Sequence, residues 1–148
     1  MRQFFDTAAT LGPKLDALLF QLSPNLKKDI ALLDTFLEDF PPKARAAFEF
    51  RHASWFDQEV FDRLRARNLA LCAAGSEKLS TPVEVTADYA YFWLRDEGYT
   101  AEDIARCASS IRDRGSACSD VFVYFKHEDA GKGPEFGRML IDLVGGAR

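Results

Sequence analysis

The sequence predicts an α/β domain built on parallel strands. The first observation behind this is an alternation that runs the length of the chain: a helical segment, then a strand-like run followed by a helix-like segment, repeated five times with one connection less clearly helical. Such alternation gives parallel strands joined by right-handed crossovers. The second observation concerns glycine. An open nucleotide-binding sheet carries a glycine-rich phosphate loop after a strand, and the sequence has none. An open doubly wound sheet and part of a (β/α) barrel both fit the alternation; the missing loop favours the barrel.

Each element follows from local pattern. Phe4, Phe5, Ala8 and Leu11 fall at helical spacing, and Gly12-Pro13 stops that helix. ALLFQL, from Ala17 to Leu22, is a continuous apolar run suited to a strand covered on both faces, and Ser23-Pro24 ends it. Ile30, Leu33, Phe36, Leu37 and Phe40 make one stripe on a helix from Lys28 to Phe40, closed by Pro41-Pro42. ARAAFEF is the second strand, and Asp57 to Asn68 the next helix, with Ser54 or Asp57 as its cap. LALCAAG is the third strand, followed by an irregular, Thr-rich stretch from Ser76 to Ala90. YAYFWLR, Tyr89 to Arg95, is the fourth. Thr100 opens a capping box, TAED, for a helix to Arg114, with Gly115 as its stop. DVFVYF, Asp120 to Phe125, is the fifth strand, and Pro134 to Val144 the last helix.

With 148 residues, residues 1–148 read as one domain. Hydrophobic residues make up 47% and charged residues 28%, the balance of a folded soluble chain. The net charge of −4, with both signs interspersed, argues against a broad nucleic-acid surface. No apolar run is long enough for a membrane span, and MRQFFDTAATLG lacks a secretory core, so a cytoplasmic location is expected. Cys72, Cys107 and Cys118 are odd in number and far apart, which suggests neither a disulfide framework nor a zinc site. Cys72, within LALCAA, reads as a small buried filler.

The segments LGPKLDALLFQLSPNL, FEFRHASWF, LALCAAG, YFWLRDEGYTAEDI and DVFVYFKHEDAGKGPEFGRML, in this order, resemble the C-terminal part of the YecE-like family, domain of unknown function 72. The resemblance covers almost the whole chain. It implies a partial TIM-type (β/α) barrel of about five parallel strands, equivalent to the fourth to eighth, with the first three missing. The family's activity is not established; its fold relates it to sugar isomerases. Two positions depart from the family pattern. Ser23-Pro24 stands where a Pro-Pro pair is usual, and Trp93 stands where the family typically has Arg, which removes a charge and forked donors.

Given that fold, chemistry belongs at the C-terminal ends of the strands. Alternation turns Glu49 and Arg51 one way and Phe48 and Phe50 the other, so the polar pair is expected to face the barrel interior. Glu49 is a candidate acid/base and Arg51 an anion holder; the alternative is an internal ion pair that orders the barrel. In the following loop His52 is a candidate general base or a hydrogen-bonded structural residue. Trp55 is either an aromatic wall for a sugar or base, or core. Tyr91, Trp93 and Arg95 share one face, as do Tyr124 and Lys126. Lys126 suits anion binding or proton transfer. His127, Glu128 and Asp129 follow as candidates for a metal ligand or an acid–base pair, although adjacent residues do not readily converge on one ion. Gly131-Lys132-Gly133-Pro134 leads into the last helix, either as a phosphate cradle or as a plain loop into an N1 proline.

The expected pocket is Gln21, Glu49, Arg51, Trp93, Arg95, Lys126 and Asp129, suited to a small anionic or polyhydroxylated ligand. The residues name no cofactor. Three readings follow: an enzyme acting on a sugar or sugar phosphate, a non-catalytic remnant that completes its sheet through a homo-oligomer or another chain, or a chain whose first strands were lost by truncation.

Overall fold

The computed structural model describes residues 2–42, 44–75, 81–82, 84–95, 98–126 and 131–145. Helix α1 (Arg2–Ala9) and a 3-10 turn (Gly12–Lys14) lead into β1 (Leu18–Gln21). Then come α2 (Ile30–Glu38), β2 (Ala46–Glu49), a second 3-10 turn (Ala53–Trp55), α3 (Gln58–Ala66) and β3 (Ala70–Gly75). The chain continues through β4 (Tyr89–Leu94), α4 (Ala101–Gly115), β5 (Asp120–Phe125) and α5 (Lys132–Gly145). The five strands form one sheet in the order β1-β2-β3-β4-β5, every pair parallel. The result is a curled half-barrel, the partial barrel that the sequence predicts.

Curling is visible in one ion pair. Arg45 precedes β2 and Asp120 opens β5, three strands away; on a flat sheet that is roughly 14 Å at the usual strand spacing. Yet Arg45 Nη2 lies 2.8 Å from Asp120 Oδ2, closer than the two side chains could span across a flat sheet, so the sheet curls. Arg45 also lies over the Tyr89 ring, 5.2 Å from its centre. The Tyr89 hydroxyl in turn accepts from the Ala46 N–H at 2.8 Å, tying β4 to β2 across β3.

Two apolar layers separate by strand alternation. Phe48, Phe50 and Leu71 turn outward into a core with Phe5, Leu33, Leu37, Val60 and Leu64 from α1, α2 and α3, and with Phe40 just past α2. Phe20, Phe36, Phe40 and Phe48 pack there edge to face or tilted, with ring centres 5.4 to 6.3 Å apart, apart from the stacked Phe20–Phe48 pair. Further along, Phe92, Ile104, Ala108, Ile111 and Leu140 join β4 to α4 and α5. The inner face carries Ala47, Ala70, Cys72, Ala74, Tyr89 and Tyr91.

Element ends show why some predicted boundaries move. Asp57 caps α3, accepting from the Glu59 N–H, while Ser54 is used elsewhere. The Thr100–Asp103 capping box is present as read. Gly115 does not stop α4. It is the last helical residue, and a Cβ there would meet Val121 Cγ2 at 2.8 Å, so its lack of a side chain permits close packing on β5. Pro134 is not the first residue of its helix, because α5 begins at Lys132. In the connection between β3 and β4, Thr86 is buried and acts as a polar tie. Its Oγ1 donates to the Leu69 carbonyl (2.7 Å) and accepts from the Leu71 N–H (2.8 Å).

Candidate functional site

Strand register assembles the site. Gln21 pairs with Glu49 across β1 and β2, Cys72 with Tyr91 across β3 and β4, and Trp93 with Tyr124 across β4 and β5. All lie on the inner face, where Ala47, Ala70 and Ala74 leave room for longer neighbours. Glu49 ends β2 and is fully buried. Gln21 Nε2 donates to its Oε2 at 2.9 Å, and Arg95 Nη1 lies 2.9 Å from its Oε1. Arg95 stands one residue past β4 and in phase with Tyr91 and Trp93, which aims it inward. Its guanidinium also lies 5.5 Å from the centre of the Trp93 ring. A buried carboxylate without a countercharge would be strongly disfavoured; Arg95 supplies the countercharge across the width of β3.

The pairing is Coulombic rather than a well-directed hydrogen bond. Both Glu49 Oε1 and Arg95 Nε are buried without a hydrogen-bond partner among the described residues. Burial pushes the Cys72 thiol up to about 12; the negative charge of Glu49 adds to this and Arg95 opposes it. Burial likewise raises Tyr91 to about 12, helped by Tyr124, Cys72 and Glu49. The Tyr91 and Tyr124 rings stack at 5.0 Å with planes 25° apart, and Tyr124 is 44% exposed.

The structure thus brings Gln21, Glu49, Trp93 and Arg95 together, and does not join the other sequence candidates to them by any contact it shows. Arg51 is exposed and has no ion pair among the described residues, because β2 ends at Glu49 and strand alternation no longer directs residue 51. The internal ion pair is Glu49 with Arg95, not with Arg51. His52 caps the Ala53–Trp55 turn: its Nδ1 accepts from the Ser54 N–H (3.2 Å) and lies 2.8 Å from Ser54 Oγ. Its acceptor nitrogen is therefore engaged in the loop. Ser54 Oγ accepts from the Lys28 N–H, joining this loop to the one after β1.

Trp55 is core on the helix side of the sheet. It stacks on Phe50 at 4.9 Å, and its indole N–H donates to the Leu26 carbonyl at 2.8 Å. Lys126 is exposed at the end of β5, beside Gly131, Gly133 and Pro134 in an open groove of about 330 Å³. Asp129, with His127 and Glu128, lies outside the described residues. Tyr124 and Cys72 are site neighbours that sequence reasoning did not place there, although strand alternation carried the signal for both. Among the described residues no cluster of three His, Cys, Asp or Glu side chains is arranged to hold a metal, and no helix is long and apolar enough to cross a membrane.

Comparison with known proteins follows this geometry. A family model described as "Protein of unknown function DUF72" matches residues 1–148. A DUF72 family protein of Enterococcus faecalis V583, solved at 3.10 Å, superposes with a TM-score of 0.85 at 17% identity. That alignment covers 97% of this chain and 64% of the other. The same bacterial protein at 2.52 Å gives 0.83 at 18% identity, covering 96% and 66%. A DUF72 family protein of Thermotoga maritima MSB8, at 2.20 Å, gives 0.73 at 20%, covering 94% and 65%. At these identities the likeness shows a shared fold, and the chain spans about two thirds of the length of each, the longest share being 66%. No curated protein matches. Because the family model takes in every residue and the resemblance read from the motifs points the same way, the chain belongs to the DUF72 family of proteins of unknown function.

Proposed function

We propose that the inner face is the acid/base centre of a TIM-barrel-type enzyme acting on a small sugar or sugar phosphate. The observation that carries this is Glu49: a fully buried carboxylate at the C-terminal end of a strand, held by Gln21 and countered by Arg95. Active sites of (β/α) barrels sit at that end. Glu49 takes the proton from the hydroxyl-bearing carbon beside a carbonyl and returns it to the carbonyl carbon, while that hydroxyl's proton passes to the carbonyl oxygen. Arg95 offsets the negative charge that develops on the oxygens. Arg51 and Lys126, both exposed, hold the anionic group nearer solvent.

The test is deuterium exchange. A panel of aldose and ketose phosphates is incubated with the protein in D2O and followed by NMR. The expected result is exchange at the carbon beside the carbonyl, slowed on the order of 100-fold or more in Glu49→Gln. Exchange that is absent across the panel, or unchanged in the variant, contradicts the reading.

A second reading is favoured by the sheet edges. Among the described residues β1 and β5 each have one strand neighbour, and exposed edges of parallel strands invite pairing. A second copy of the chain can cover them. Light scattering across a micromolar dilution series is expected to show a dimer or larger species; a monomer throughout sinks this reading.

A further inference from the structure

We infer that the inner face holds a carbohydrate ring by its hydroxyls and its flat face, not by a phosphate. This rests on the reading that a small ligand enters that face. Two buried atoms define the deep end, Glu49 Oε1 and Arg95 Nε, neither with a hydrogen-bond partner among the described residues. One only accepts and the other only donates. Two hydroxyls of one ring satisfy them: one accepts from Arg95 Nε–H, and the other donates its proton to Glu49 Oε1, which already lies 2.9 Å from Arg95 Nη1. A phosphate dianion cannot do this, since it has no proton to give the carboxylate and would add a like charge beside it. The pair therefore selects hydroxyl over phosphate, whatever the cations nearer solvent do.

A wall for the ring adjoins the pair. Tyr124 is exposed on the inner face and stacks on buried Tyr91, whose phenol is close enough to Glu49 to feel its charge. Trp93 lies opposite Tyr124 in register and touches the Arg95 guanidinium. Aromatic faces pair with apolar surface while hydroxyls at the rim meet polar groups. A pyranose or furanose presents that combination: C–H groups on its face and hydroxyls around its edge. Trp93 extends this wall and offers no charge for a phosphate to pair with.

Trp93 also supplies the readout. The chain has two tryptophans, and Trp55 is buried against Phe50, so a ligand-dependent fluorescence change reports Trp93 and is lost in Trp93→Phe. The probes are neutral aldohexoses and ketohexoses, their monodeoxy analogues, their phosphates, and inorganic phosphate. At least one neutral sugar is expected to quench saturably. Tyr124→Ala should weaken it roughly 3- to 10-fold, while Tyr124→Phe retains it. One monodeoxy analogue should bind at least about tenfold more weakly, because its missing hydroxyl leaves one atom of the buried pair unmet. If only phosphate-bearing probes bind and Tyr124→Ala changes nothing, this inference is overturned while the acid/base reading stands. If neutral sugars bind through Tyr124 but no deuterium exchange occurs, the inference stands and the acid/base reading falls. If none of the probes binds, the inference is overturned.

Discussion

Cys72 and Glu49 share the inner face, and each shapes the other's chemistry. The thiol is buried beside a carboxylate and so stays protonated far above its ordinary value of 9.0. In the unfolded chain it loses its proton near that ordinary value. Between pH 9 and about 12 the unfolded chain then binds fewer protons than the folded one, and raising the pH favours unfolding. The contribution is complete below pH 9 and fades toward 12; Tyr91 adds the same sign above its ordinary 10.0. Urea unfolding at half-unit steps from pH 8 to 11 should show stability falling more steeply in the wild type than in Cys72→Ala. Parallel slopes would show that Cys72 is not buried beside this charge. Period-two alternation made Glu49, Trp93 and Arg95 readable as inward-facing, because β2 and β4 are regular up to or next to those residues. It misled at Arg51, which lies past the strand, and it said nothing about Trp55. That residue's place is set by a long-range hydrogen bond to Leu26 and a stack on Phe50.

At the scale of elements, Gly115 shows how one residue type serves different ends. A glycine at the end of a helical pattern reads as a left-handed stop, yet here the glycines with positive φ among the described residues are Gly12 and Gly131. Gly115 instead lets α4 approach β5, with Val121 Cγ2 2.8 Å from where a Cβ would stand. Gly115→Ala gains helix propensity but must displace a branched side chain or tilt the helix. The expected net effect is a loss of about 1–3 kcal/mol, read as a lower urea midpoint at unchanged slope. A stabilised variant would mean that α4 and β5 pack less closely than described. Local signals fixed most element identities, such as the Thr100–Asp103 box at the start of α4. Close approach between elements is a tertiary property, and a single glycine in the sequence cannot report it.

For the whole molecule, the parallel alternation was legible because every strand-like run is short, apolar and followed by a helix or an irregular link. The curl was legible through the missing phosphate loop and the family resemblance, not through any local pattern, since nothing local says that Arg45 will meet Asp120 across the bottom of the sheet. The candidate site depends on that same curl and order. Glu49 belongs to β2 and Arg95 follows β4, so their contact exists only if β3 lies between them and their side chains turn to one hollow. A double-mutant cycle tests this most directly: Glu49→Gln, Arg95→Met and the double variant, each unfolded in urea at pH 7. The structure predicts a favourable coupling of about 1–3 kcal/mol, with the double variant less destabilised than the sum of the singles. Additive losses, with coupling below about 0.5 kcal/mol, would contradict the site and the sheet order that builds it.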